Sequence, residues 1–413
     1  MNRTDTYGQQ LSCGHSASLR AWNGAWASFL HFEGDPLAQL DEANAADDRF
    51  VMGSVFTATY RLLGGSPPRA PMVIDDIVRV RSRVERCNEH EQGHAAALEK
   101  LLGGDFGAAA RAWDELGTSG FDMAATRFAH DVYLHVGDAQ GRIRSSKTAI
   151  ERWPEDHPGY GAVLGQHAFA LEEVGAYNEA ERAGQAALAL DPDDLWALHA
   201  LAHVYESTDA HEPAMRLLMS TQNRWVEQEL LAAHIWWHLA IRLLAAGRHQ
   251  EALGIFDSSM PEASTAFRLC DVTSLLWRLE LRDVDVGPRW QALADAWAPI
   301  EERHTCGFLD MHAALAFSRS PDHAGAELFW DGLAAAHEGD TSENAETFRS
   351  AVRPLVAAIR LFGAGRYQEA AAGFAAVSKD VPRVGGSIAQ REIVALTETE
   401  ARQRVPDTEE NTP

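Results

Sequence analysis

Apolar side chains recur at every third or fourth position along almost the whole chain, and alternating β-branched runs are nearly absent. A period of 3.6 predicts amphipathic helices throughout, and so an all-α protein. The helices are punctuated in a repeating way. Gly104-Asp-Phe-Gly-Ala-Ala109, Gly175-Ala-Tyr-Asn-Glu-Ala180, Asp209-Ala-His-Glu-Pro-Ala214, Gly247-Arg-His-Gln-Glu-Ala252 and Gly365-Arg-Tyr-Gln-Glu-Ala370 each follow an apolar helix and open a second one. Gly137 marks a weaker copy. The turn residues at 104, 137, 175, 209 and 247 are spaced by roughly 33–38 residues, which is the mark of a repeat array. Glycine suits these places because it ends a helix at positive φ without a Cβ clash. The alanine five positions later lets two helices approach closely. The aromatics nine positions after a glycine, Trp113, Phe256 and Phe374, fill the layer between pairs.

Outside the repeats, Cys13 to Gly65 reads as two or three helices, with Gly34-Asp-Pro-Leu-Ala as a degenerate turn. Gly65-Ser-Pro-Pro-Arg-Ala-Pro reads as a loop by its prolines. The chain therefore divides into an N-terminal helical segment (1–65), repeats that carry a histidine cluster (66–260), C-terminal helical repeats (261–399) and a frayed, disordered tail (400–413) rich in Glu, Thr and Pro.

Polar residues interrupt the apolar pattern most clearly at Trp196-Ala-Leu-His199-Ala-Leu-Ala-His203-Val-Tyr-Glu206. The i, i+4, i+7 spacing stacks His199, His203 and Glu206 on one stripe of a helix. His234-Ile-Trp-Trp-His238 supplies a second i, i+4 pair. Counting back thirteen, ten, six and three positions from each turn gives one face of each first helix. The faces read Glu91, His94, Leu98, Leu101; Ala124, Arg127, Asp131, Leu134; Ala162, Gly165, Phe169, Glu172; Trp196, His199, His203, Glu206; and His234, Trp237, Ile241, Leu244. His130, His167 and His238 flank three of them.

The pattern resembles the tetratricopeptide repeat, closely over 88–260 and 346–378 and loosely between. The phrases His199-x3-His203-x2-Glu206, His234-x-x-Trp237-His238-x-Ala240, Leu276-x-Arg278-Leu279 with Val286-Gly287-x-Arg289-Trp290, and Gly385-Gly386-Ser387-x-Ala389-Gln390-Arg391 are similar to the tetratricopeptide repeat protein 38 family over nearly the whole chain. The resemblance implies a right-handed α-solenoid of helix–turn–helix pairs, able to close on itself, with the faces above lining its concave groove. It brings no activity with it.

Metal binding is the sharper reading of the stripe. Two imidazoles at i, i+4 can hold one ion, and a carboxylate three residues from a histidine, as in Glu91-Gln-Gly-His94 and His203-Val-Tyr-Glu206, suits helical metal centres. The candidate ligands are His199, His203, His234, His238, His94 and Glu91. Nitrogen and oxygen donors fit a divalent Zn, Fe, Mn or Ni. Glu206, Asp131 and His130 are the candidate acid–base groups. Trp196, Trp237 and Tyr205 would wall a substrate, with Arg127 as the one cation and Asp310-Met-His312 reaching the groove if the array closes. The blander reading is a polar network that fixes helix packing, with Glu206 holding a histidine tautomer.

Composition narrows the partners. In 413 residues the net charge is -24, which argues against nucleic acid and an anionic membrane surface. No apolar run is long enough to span a membrane, and the first residues do not read as a secretory signal. Cys13, Cys87, Cys270 and Cys306 are scattered, which suits a reducing, cytoplasmic setting. There is no P-loop and no nucleophile elbow. Gly385-Gly-Ser387 reads as an anion-binding helix start or a plain serine cap. The leading expectation is a small-molecule enzyme of metal-dependent, hydrolase-like chemistry. The alternative is a tetratricopeptide-type scaffold for a protein or peptide in the concave groove. A structural homodimer without a site is the third.

Overall fold

The six turn residues all adopt left-handed backbone, with φ of 80° at Gly104, 70° at Gly137, 79° at Gly175, 52° at Asp209 and 73° at Gly247 and Gly365. In each, the next residue's N–H donates to a carbonyl five positions back, as Asp105 to Lys100 (3.0 Å), Ala176 to Leu171 (2.9 Å) and Arg248 to Leu243 (2.8 Å). That bond closes the last helical turn while the left-handed residue redirects the chain. Asp209 does this without being glycine, because a short polar side chain tolerates the conformation. The alanines five positions on, Ala109, Ala180, Ala214, Ala252 and Ala370, are all buried.

The computed structural model describes residues 2–227, 231–260, 265–301 and 303–405. Helix pairs follow one another: Glu89–Leu102 with Phe106–Gly120, Met123–His135 with Ala139–Arg152, Tyr160–Glu172 with Tyr177–Leu190, Leu195–Ser207 with His211–Ser220, Ala232–Ala245 with His249–Ser259, and Arg353–Gly363 with Tyr367–Val377. Ala266–Glu280, Arg289–Trp297, Gly307–Arg319 and Ala324–Ala335 continue the array less regularly. The fold is an all-α, tetratricopeptide-like α-solenoid. Among the described residues, no helix is long and apolar enough to cross a membrane, and all four cysteines are free.

The array closes on itself. Asn344 N–H donates to the Gly104 carbonyl at 2.9 Å, Gly107 N–H to Glu343 Oε2 at 2.7 Å, and Thr305 Oγ1 to the Gly65 carbonyl at 2.6 Å. A Cβ on Gly137 would lie 1.8 Å from the Pro382 carbonyl oxygen. One large apolar cluster runs from Leu11 to Tyr133 around Trp22, Trp26, Phe56 and Phe128. Another runs from Ala168 to Ala401 around Trp237, Trp277 and Phe362, and includes Phe32. Neither cluster breaks at 65 or at 260.

Two sequence expectations need correction. An antiparallel hairpin, Asn2–Thr4 with Gln10–Ser12, precedes the helices. Its strands are too short to show alternation. The Asp5 carboxylate holds it by accepting from the Tyr7 and Gln9 N–H groups and from Trp22 Nε1. At the other end, the helix Ile388–Gln403 continues beyond residue 400, where the tail was expected to begin. Ala401 is buried there, and Arg404 lies over Phe362 and Tyr367. The rest of the expected tail, 406–413, lies outside the described residues.

Candidate metal centre

Asp194 caps the helix Leu195–Ser207 by accepting the Ala197 N–H at 2.9 Å. This sets the rotation that turns His199 and His203 towards the helix Ala232–Ala245. From that helix His234 and His238 point back. The four rings meet by their Nε2 atoms: His203 to His199 at 2.9 Å, His234 to His199 at 3.0 Å, and His238 to His234 at 3.2 Å. One nitrogen from each ring lies within 4.8 Å of the others. Three rings are buried, and His234, 14% exposed, stands at the rim.

The other ring nitrogens explain why the Nε2 atoms face inward. His234 Nδ1 lies 2.9 Å from Asp271 Oδ1. His238 Nδ1 lies 3.1 Å from Glu206 Oε2, and Arg242 Nη2 pairs with Glu206 Oε1 at 2.9 Å. Glu206 accepts from His238 Nδ1–H, and Asp271 accepts from His234 in the same way. In neutral rings this leaves a bare lone pair on each Nε2, and those two lone pairs face each other at 3.2 Å. Neither nitrogen can donate to the other. Burial, and after it the neighbouring rings, hold His199 and His203 well below the usual histidine pKa. His238 is lowered for the same reasons. Burial thus favours the neutral form of these three rings, which is the form that ligates metal.

The spacing fits an ion. With metal–nitrogen bonds of about 2.0–2.1 Å, tetrahedral nitrogens stand roughly 3.3–3.4 Å apart. The three separations given above are slightly tighter, and the others lie within 4.8 Å. Carboxylates behind ligand histidines are the usual arrangement that fixes tautomer and raises basicity. His203 Nδ1 has Glu172 Oε2 at 3.8 Å, and His199 Nδ1 has no partner. Glu172 is fully buried, and burial, with the charge of Glu173 next, raises its carboxyl to about 8.

The expected site residues sort as follows. Trp237 stacks on His234, with ring planes 10° apart, and Trp196 packs against His199, so both tryptophans border the cluster. Tyr205 does not. Six residues beyond His199 it is on another side of the helix, and its hydroxyl donates to Glu181 at 3.0 Å. Glu91 and His94 do not join the cluster either. Glu91 accepts the N–H groups of Ser12 and Asn88. His94 Nδ1 accepts from Trp113 Nε1 at 3.2 Å, which leaves Nε2 to donate to Asp122 at 2.9 Å. His90 shares that Asp122 oxygen. His90, His94 and Asp122 lie close enough for a metal, but hydrogen bonds already satisfy His94.

Asp131 is held by Arg127 Nε (2.9 and 3.0 Å) and by the Tyr60 hydroxyl. Arg127 is buried over Phe29 and Trp196, so it is not a free cation in a groove. Both Glu206 oxygens are occupied. His130 is buried against Phe169 and Trp196. His312 donates through Nδ1–H to the Phe308 carbonyl, 2.8 Å away, and feels the charge of Asp271 from the helix packed against its own. Gly385-Gly-Ser387 is a serine-capped helix start, and the carboxylate at it comes from within the chain: Ile388 N–H donates to Glu173 Oε1 at 2.6 Å. Asp271 was not among the expected residues. A cleft of about 190 Å³ is lined in part by Tyr7, His31, Arg127, Asp194 and Trp196, and by none of the four histidines.

No protein-family model matches the chain. Among solved structures it is similar to a Rap protein complexed with competence and sporulation factor, at 12% identity over 77% of this chain and 96% of that one, with a TM-score of 0.47. A likeness of that degree carries no function across.

Proposed function

We propose that this repeat scaffold holds a divalent transition-metal ion between His199, His203, His234 and His238, and that it is a metal-dependent enzyme for a small molecule. The observation that carries this reading is the convergence of four Nε2 atoms, two of them lone pair to lone pair, with carboxylates behind. An ion there supplies Lewis acidity and a water of lowered pKa, which suits hydrolysis or related water chemistry. Glu206 and Asp131, both saturated, give way to Glu172 as the proton-handling group. Its Oε2 has no hydrogen-bond partner and lies 3.8 Å from His203 Nδ1.

A second reading is a scaffold for a protein or peptide, with a structural ion. Four imidazoles complete a tetrahedral shell, and closed shells are structural. Six-coordinate Fe, Mn or Ni would keep two positions open. Metal analysis of untagged protein, beside the His199→Ala/His203→Ala double variant, tests the proposal. A near-stoichiometric ion lost in the variant supports it, and the identity of the ion separates the two readings. No ion in either protein reduces the cluster to a packing network.

A further inference from the structure

The repeat that begins at Gly137 departs from the rule of the others. Five positions after the turn they carry a small buried alanine. Here the position is Arg142, and it is only 1% exposed. A guanidinium brings five N–H donors to a helix contact built for a methyl group. Its Nη2 reaches Glu173 Oε2 at 3.4 Å, but Nε and Nη1 have no partner. Glu173 cannot serve them, because it also accepts from Ile388 N–H and pairs with Arg391.

Other orphaned groups share the neighbourhood. Arg142 lies over the Phe169 ring at 4.9 Å, and the same ring packs on His199, His203 and His130. His130 is 2% exposed with both ring nitrogens unpartnered. Gln166, 1% exposed and one turn before Phe169, has neither amide atom paired. Glu172 Oε2 and Arg142 Nη1 both lack partners, so the carboxyl and the guanidinium do not meet. Buried polar groups are otherwise almost always paired. Three consecutive helices therefore present donors to something the chain does not supply. Three N–H groups on Arg142, two on Gln166 and one on a neutral His130 stand against three unpaired acceptors, Gln166 Oε1, the other His130 nitrogen and Glu172 Oε2, so the deficit is still of acceptor oxygens.

We propose that Arg142, His130 and Gln166 form an internal pocket for a small oxyanion, the carboxylate or phosphate group of an organic molecule. The pocket shares the Phe169 wall with His199 and His203, so the group bound there anchors whatever is presented to the four histidines. The inference goes beyond the metal reading and stands without it.

The test is calorimetry on full-length, chelator-treated protein with acetate, malonate and inorganic phosphate in turn. Working without metal keeps the result independent of the four-histidine centre. Single-site binding of at least one probe, weakened tenfold or more in Arg142→Gln, is expected, and the probe that binds tells carboxylate from phosphate. Absence of binding by all three, or binding unchanged in Arg142→Gln, overturns the pocket. Should Arg142→Gln fail to fold, His130→Phe takes its place. It removes both ring nitrogens, keeps a ring against Phe169 and Trp196, and carries the same expected loss.

Discussion

Asp271→Ala offers the most direct probe of how the metal centre is held. The carboxylate is buried and lies 2.9 Å from His234 Nδ1, and His234 is the most exposed of the four rings. Its orientation depends on that one bond more than theirs do, since packing fixes the others. Removing a carboxylate behind a ligand histidine typically weakens metal binding by about 10–100-fold. At 1.4 kcal/mol per tenfold, that is about 1.4–2.8 kcal/mol. Asp271→Asn keeps an oxygen that can accept from Nδ1–H but loses the charge, so it should fall at the low end. Competition for Co(II) against a chelator of known affinity at pH 7 measures both variants, with circular dichroism to confirm the fold. The reasoning is refuted if Asp271→Ala binds within twofold of the parent while the His199→Ala/His203→Ala variant has lost the ion.

Other outcomes follow from the same geometry. At a free metal concentration of 100 Kd, the folded protein should gain about 2.7 kcal/mol over its metal-free form. Melting of the His199→Ala/His203→Ala variant should not respond to metal at all. Burial pushes His312 down to about 4, so as pH falls below 6.5 the unfolded chain takes up a proton that the folded chain refuses. This ring then costs about 1.4 kcal/mol of stability per pH unit between 6.5 and 4. Urea midpoints at pH 7 and pH 5 should show that part of the slope removed in His312→Leu. Gly175→Ala meets no atom within 4 Å and should cost only the left-handed strain of roughly 1–2 kcal/mol. Gly137→Ala meets the Pro382 carbonyl as well and should lose a further ~1–3 kcal/mol in the same assay, and equal losses would mean that the seam yields freely.

The repeats were legible because their turns depend on local chemistry. A residue that tolerates positive φ, with a small residue five positions later, can be read at one glance along the chain. The stripe of His199, His203, His234 and His238 was legible for the same reason: i, i+4 spacing is a property of one helix. Which stripes meet is a long-range matter. Glu91 and His94 looked as promising, but Ser12 and Asp122 claimed them. Asp271 was missed because its repeat turns at Asp283 (φ 56°), where no glycine marks the origin, and because counting back from there reaches Cys270 and Thr273, which leaves Asp271 one step off the stripe. Arg142 was visible as an exception to the alanine rule, and it took the buried guanidinium to give the exception meaning.

The seam between the first and last repeats has one more consequence. The bond from Gly107 to Glu343 joins positions 236 residues apart. An open solenoid is nearly one-dimensional: each unit feels only its neighbours, ends fray first, and units can be added or deleted. Joining the ends removes that freedom. Neither terminus can peel away without breaking the seam, so unfolding should be concerted, and trimming from either side should cost far more than the residues removed. The closing contacts must also form late, because their loops are among the longest between the described residues. The number of repeats becomes a fixed property of the molecule, set by the circumference that lets the two ends meet.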